Sequence, residues 1–479
     1  FYLAANSPCI DAGNGDEAPL TDLDGKLRHD DFGARNTGTG TPDYADIGAY
    51  EFQGNSSMNG TFTIGASGDF ESFSEAVDSL VALGISGDVT FDVEAGTYNE
   101  QLTLPVIAGA SDTSRIVFRS ETGDSTTVVL TFGATMEQEN YTLKLDGANF
   151  ITFQDMTLQA TGTTYGRILE IAGGTKHNNF LNNRFEGVEN SQELVSNATS
   201  IRDSSIVFSN NYFLNGGKAI QWSGPFSYYI SITDNVFYQQ HDKAVFMEYI
   251  FESSIQNNQF YSNHRVVAIA LNSPSNLAIE KNRIYLKNGG RGIHYNNLYG
   301  ENNTLINNYI YLHTNQADIG IEIGGGSIQL LHNTIHLTGD HTESYCVNIY
   351  SSTVTVRNNN FVNMAGGRVF YGAYGDYNNL YSNGPYLVYD FINLEHLHHY
   401  GENEMNSVSV QPHFIADTSW VPTHPALNGS GVEIGVTEDI EGNTRILETP
   451  DLGASEFTPP APVPFHGNYV IGGASPDYE

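Results

Sequence analysis

The chain has 479 residues, of which 39% are apolar, enough for a large core. Aspartate and glutamate outnumber lysine and arginine by 55 to 20, and a net charge of −35 speaks against nucleic acid, anionic lipid surfaces and anionic polysaccharides such as pectate as partners. No apolar run approaches the roughly 20 residues of a membrane-spanning helix, so no membrane span is expected. Cys9 and Cys346 fall far apart in the repeat scheme described below. They are expected as separate thiols in small buried slots, not as a disulfide.

The first block runs to Phe52. It reads Asn6-Ser-Pro-Cys-Ile-Asp-Ala-Gly-Asn14, then Asp22-Leu-Asp-Gly-Lys-Leu-Arg28, then Asp46-Ile-Gly-Ala-Tyr-Glu-Phe52. This order of motifs resembles the closing segment of many extracellular bacterial right-handed β-helix proteins, "SPxIDxG … DxDGxxR … DIGAxE". The resemblance implies that residues 1–52 close a preceding β-helix module. Asp22 and Asp24, followed by Gly25, also look like part of a Ca²⁺ loop. The other reading of these acids is a turn that pairs with Arg28.

Residues 53–59 read as a linker, and a complete module is expected over 60–457. Its helical cap is placed at 70–84, where Ser72 or Ser74 can cap the helix and Phe73, Ala76, Val77, Leu80 and Val81 form an apolar stripe. Strands follow at 89–93, 96–104, 115–119 and 128–132. The opening, "GxxxIGxxGDFxxFxEAV … GxYxEQ", resembles the start of β-helix modules in giant tandem-repeat surface and adhesin proteins of Bacteroidota, commonly exported by the type IX route. It is also loosely similar to pectin methylesterases.

From 176 to 364 one frame recurs: apolar, two residues, Asn, one residue, apolar. Its asparagines are Asn183, Asn211, Asn235, Asn258, Asn282, Asn308, Asn333 and Asn359, at spacings of 28, 24, 23, 24, 26, 25 and 26. A period of this size predicts a solenoid. Apolar residues alternate with period two, as in Ile230, Ile232 and Val354, Val356, so the repeats are strands. The chain is therefore read as all-β, a right-handed parallel β-helix with an N-terminal capping helix and a loop-rich C-terminal closing segment. About 13 to 15 coils are expected. The asparagines are expected at strand bends, where Asn tolerates left-handed backbone angles, with amides that donate to one coil and accept from the other.

After Met364 the frame weakens. The closing motifs return over 424–457: Asp439-Ile-Glu-Gly-Asn-Thr-Arg445 and Asp451-Leu-Gly-Ala-Ser-Glu-Phe457. Asp22 matches Asp439, Asp24 matches Glu441, Arg28 matches Arg445 and Glu51 matches Glu456. A proline-rich linker spans 458–464. Residues 465–479 repeat the opening and are expected to start a further module.

The strings that mark β-helix lyases, polygalacturonases or methylesterases are absent, and no catalytic residue is expected. Glu395, His396, His398, His399 and Glu402 could bind a transition metal, or form a surface loop. Apart from calcium, no cofactor is expected. Tyr238, Tyr261, Tyr285 and Tyr311 stand three residues after successive ladder asparagines and point outward. They predict an exposed aromatic stripe suited to sugar rings or to a sister chain. The expected function is a structural or adhesive module of a giant repetitive extracellular protein at the surface of a Gram-negative bacterium. Its expected partners are neighbouring modules, sister chains in a fibre, and glycans. The alternative is a glycan-binding or polysaccharide-degrading β-helix.

Overall fold

The computed structural model describes all residues except 1, 5–6, 32–33, 54–56, 190–191, 198–200, 297–299, 351–352, 373–374, 400–402, 417–418 and 462–479. The expected linkers at 53–59 and 458–464 therefore lie only partly among the described residues, and the repeat of the opening at 465–479 lies outside them.

The chain winds as a parallel β-helix of three sheets. Sheet 1 has 13 strands, of which twelve, from Met58–Ile64 to Thr353–Arg357, stack in one path. Sheet 2 has 12 strands, from Gly96–Asn99 to Asn379–Ser382, and sheet 3 has 11, from Leu102–Leu104 to Arg368–Tyr371. The solenoid thus has about 12 turns, fewer than the 13 to 15 expected, because after Ser382 the coil path continues only as isolated parallel bridges, Phe370↔Val388 and Asn379↔Val408. Each coil visits sheets 1, 2 and 3 in turn, and successive coils pair in register, as in Ile255↔Ile279 and Phe260↔Ile284.

Period-two patterning puts every second side chain inside. The inward positions stack like on like. Phe91, Phe118 and Phe153 are stacked at 4.7 and 4.9 Å, and Phe185, Phe213, Phe237 and Phe260 at 4.7, 4.9 and 4.6 Å. Such ring pairs add about 0.5–1.5 kcal/mol each beyond the burial of their area. Cys346 is buried in the core, whereas Cys9 is only half-buried; both are free thiols.

Helix α1 (Phe73–Leu83) covers the first coil. Ser72 caps it, its hydroxyl accepting from the Glu75 N–H, and Phe73, Ala76, Val77 and Leu80 face the core. Phe73 reaches Phe118 at 6.0 Å. Val81 is exposed, contrary to its place in the expected stripe, and the helix is shorter than 70–84. At the other end, Leu387 and Val388 close the core, with Leu394 packed against it. The expected metal-or-loop segment there is instead a short helix, α2 (Leu394–His398), capped by Asn393; Glu402 lies outside the described residues.

Residues 411–457 do not continue along the axis. They fold back along the outer face of sheet 2 and its corner with sheet 1. Phe414 meets His336 at 4.7 Å, Trp420 meets Tyr309 at 5.7 Å, and Lys281 pairs with Glu438 at 2.8 Å. The closing segment is a strap on the side wall, not a lid on the end.

Candidate interaction surfaces

The corner between sheets 1 and 2 is two residues long. Its second residue is the repeat Asn, and all eight are buried. A buried corner must satisfy its backbone donors. The Oδ1 of Asn258 accepts from the N–H of Asn235 at 2.9 Å and from its Nδ2 at 3.0 Å. The Nδ2 of Asn258 donates to the Ile232 carbonyl at 2.8 Å and to Asn282 Oδ1 at 3.0 Å. The same bonds recur through Asn282, Asn308, Asn333 and Asn359. The row begins at Met156, whose N–H donates to Asn183 Oδ1 at 3.2 Å. It ends at Asn378, whose Nδ2 donates to Glu404 at 3.1 Å. Burial raises the pKa of Glu404.

The left-handed residue is not the ladder Asn but the one before it. Asp155, Asn182, Asn210, Asp234, Asn257, Lys281, Asn307, His332, Asn358 and Tyr377 all have φ between 55 and 58°. Lys, His and Tyr gain nothing locally from that conformation, which costs about 1–3 kcal/mol. The invariant amide bonds beside them hold it in place. A second row of left-handed corners, Phe150, His177, Ser205, Tyr229, Glu252, Asn276 and Asn302, lies between sheets 3 and 1. There the acceptor changes from coil to coil: Asn178 for Ile151, Ser253 for Ile230 and Asn303 for Leu277. This mixed chemistry hid the second row from sequence reasoning.

The tyrosine row is not an open stripe. Tyr238 is exposed and Tyr261 is half-buried, stacked on Tyr285 at 5.1 Å. Tyr285 and Tyr311 pack with buried Tyr309, Ile440 and Ala454 and with Trp420, under the module's own strap. The expectation of four exposed rings is corrected accordingly. A covered row is read by intramolecular packing, and burial raises the Tyr285 hydroxyl pKa.

The two closing segments form the same knot. Asp22 Oδ1 accepts the N–H groups of Asp24 and Lys26 at 2.9 Å each, and its Oδ2 accepts that of Glu51 at 3.0 Å. Asp439 does the same for Glu441, Asn443 and Glu456 at 2.9, 2.8 and 3.0 Å. Arg28 pairs with Glu51 at 2.6 Å, and Arg445 with Glu456 at 3.0 Å. Asp46 accepts the Phe52 N–H and Asp451 the Phe457 N–H, both at 2.6 Å. The backbone N–H of Glu51, foremost, holds the Asp22 pKa below its ordinary value. Asp24 accepts the Tyr2 hydroxyl at 2.7 Å. Asp22 therefore spends its oxygens on backbone donors, and Asp24 points to a different partner. In this arrangement the pair holds a turn. Among the described residues no group of three His, Cys, Asp or Glu side chains is placed to hold a metal ion.

On the outer face of sheet 3 the carboxylates are paired in place. Arg167 lies 2.7 Å from Glu170 and 2.6 Å from Glu193, and Arg291 lies 2.5 Å from Glu322. An aromatic cluster that the sequence reading passed over stands at the turns from sheet 3 to sheet 1. Phe226 lies 5.8 Å from Tyr249 and 5.6 Å from Phe251, and Tyr228 lies 5.1 Å from Phe251. The Arg202 guanidinium sits 5.8 Å from the Phe226 ring. Phe226, Tyr229 and Tyr249 are exposed. The aromatic density of 226–229 and 249–251 was the available signal.

Residues 167–319 match the family model described as a right handed beta helix region. The coils are those of a right-handed parallel β-helix. A comparison with curated proteins finds no match. Among solved structures the chain is similar to pectate lyase Pel9A, at 12% identity over 84% of this chain and 98% of that one, with a TM-score of 0.48. It is also similar to PfbA, a surface adhesin of Streptococcus pneumoniae, at 13% identity over 65% and 89% with a TM-score of 0.35. A pectin methylesterase from Aspergillus niger matches at 12% identity over 63% and 87% with a TM-score of 0.29. At these identities the likeness is one of fold. Among the described residues no helix is long and apolar enough to cross a membrane.

Proposed function

We propose that the chain is a structural and adhesive stretch of a repetitive extracellular protein, exported to the surface of a Gram-negative bacterium of the Bacteroidota type. The observation that carries this reading is the pair of closing knots. Two segments 417 positions apart, Asp22 to Asp439, are wired by the same hydrogen bonds and ion pairs. A chain that repeats its terminating device is built from repeated units. Uniform buried ladders and charge-paired carboxylates suit a rod better than a reaction centre. Electron microscopy of the secreted protein tests it: beads with an axial spacing of about 60 Å, twelve coils at about 4.8 Å, are expected. Featureless globules of one size, together with turnover of a polysaccharide in reducing-end or 235 nm assays, would overturn it.

The exposed ring cluster at Phe226, Tyr229 and Tyr249 favours one second reading, contact with neutral glycans, because sugar faces stack on exposed aromatic rings. Binding on a glycan array that is lost in Phe226→Ala with Tyr249→Ala supports it; an unchanged profile removes it.

A further inference from the structure

The two knots share their wiring but not their surroundings. In the second knot, Ile440 and Leu452 are 2% and 1% exposed. In the first, their equivalents Leu23 and Ile47 are 70% and 51% exposed. Gly453 and Ala454 are buried, whereas Gly48 and Ala49 are exposed. The backbone frame under these residues is shared, since Leu23 N–H donates to the Ala49 carbonyl and Ile440 N–H to the Ala454 carbonyl, both at 2.8 Å. What differs is the cover: Ile440 packs on Tyr309 of the side wall, and Leu452 on Leu427 and on Val408, Val410 and Val421. In the second knot the Ala454 N–H donates to Thr334 Oγ1 at 2.9 Å, the Gly453 N–H to the Asn358 carbonyl at 2.7 Å, and Arg445 to Asn307 Oδ1 at 2.7 Å. A Cβ on Gly453 would fall 2.5 Å from Thr334 Oγ1, while over Gly48 nothing lies within 4 Å.

We infer that the first knot is a docking face for the side wall of another right-handed β-helix, engaged as the second knot engages residues 281–360. The occupant is defined by its chemistry. It presents left-handed corner residues with amide side chains, a threonine hydroxyl that accepts from a backbone N–H, a tyrosine floor beneath the aliphatic side chain at the Leu23 position, and valines against that at the Ile47 position. This wall is supplied from outside the described coils, because the wall of this chain is already covered by its own second knot. An apolar face of this kind on an otherwise highly acidic chain calls for a cover. The second knot shows which cover fits this backbone frame. The inference rests on the repeated-unit reading only for the source of the wall. The face itself is tested without reference to adhesion.

The experiment uses the full chain with Cys9→Ser. Leu20–Phe52 is grafted in place of Thr437–Phe457, with Leu23→Cys carried either in the graft or in the original knot. Labelling by a thiol reagent is expected to be at least about tenfold slower in the graft, where the wall covers the position. Equal rates at the two places overturn the proposal. The graft carries a loop 12 residues longer than the native one, so a second variant keeps the native loop and changes only the face: Ile440→Leu, Leu452→Ile and Ser455→Tyr. Melting within about 2 °C of the parent supports the docking face, and a drop of more than about 5 °C overturns it, whatever the graft does.

Discussion

Arg445 and Asn307 stand 138 positions apart, yet the guanidinium Nη2 donates to the amide Oδ1 at 2.7 Å with the arginine side chain fully buried. The same arginine donates to the Gly453 carbonyl at 2.9 Å and pairs with Glu456. The left-handed corner of a coil and the closing knot are thus joined through one cation. Burial lowers the Arg445 pKa, and the carboxylates of Glu456, Asp439 and Asp451 offset that loss.

Removing that cation strips Glu456 of its ion pair, leaving it only the Ile446 and Asp451 N–H groups, and takes the donor from Asn307 Oδ1. Arg445→Ala is expected to cost about 3–5 kcal/mol, and Arg445→Lys to recover little, because an ammonium cannot serve three acceptors in one plane. Urea melts give the loss. Limited proteolysis should locate the first cuts within 411–457 while the coils stay intact.

Asn258→Ala removes both directions of one ladder rung and leaves the Asn235 N–H without its acceptor. The expected cost is about 1–3 kcal/mol in urea melts. Asn183→Ala, beside the coil in which Met156 occupies the ladder position, is expected to cost less. Equal and negligible losses would contradict the bonding described here.

Tyr309→Ala empties a buried site against Trp420 and Ile440 and should cost about 3–5 kcal/mol. Tyr238→Ala, on the exposed end of the tyrosine row beside which Tyr309 packs, should change stability by less than about 0.5 kcal/mol. Thermal and urea melts of the two variants separate the covered cluster from the open end of the row.

Asp203 is buried and accepts from the Thr175 N–H at 2.8 Å and from Asn197. Burial pushes its pKa up to about 6, and that of Asp451 likewise to about 6. Both lie above the ordinary 3.8, so the protonated forms favour folding. That stabilisation is complete below pH 3.8 and is lost as pH rises through 6. Asp203→Asn keeps an acceptor for Thr175 without the titration. Its melting temperature should fall less than the parent's between pH 4.5 and 7.5, by a difference worth on the order of 2 kcal/mol at most.

The ladder was legible because one residue type repeats at one place in every coil. The left-handed corners were not, since Asn, Asp, Lys, His and Tyr all occupy them and the constraint comes from the neighbouring amide. Outward pointing of Tyr285 and Tyr311 followed from strand alternation. Their cover did not, because Trp420 and Ile440 arrive from more than a hundred positions away. The knots were visible as motifs, but the side of the solenoid on which the second one lies depends on tertiary contacts such as Ala454 with Thr334.

From Asn211 onward the amide–amide bonds all run the same way: each Oδ1 accepts from the preceding coil and each Nδ2 donates to the Oδ1 of the following one. Every interior joint is therefore interchangeable with every other. Excising residues 236–258 would join Asn235 directly to Gln259, and the amide row would close over the gap with donor still meeting acceptor. Such a protein would be shorter by one rise of about 4.8 Å and would have no orphaned corner in the ladder. Coil number is then adjustable by duplication or loss of whole repeats between Asn183 and Asn258, the reach over which the strap's ion pairs, which begin at Lys281, make no demand on the wall.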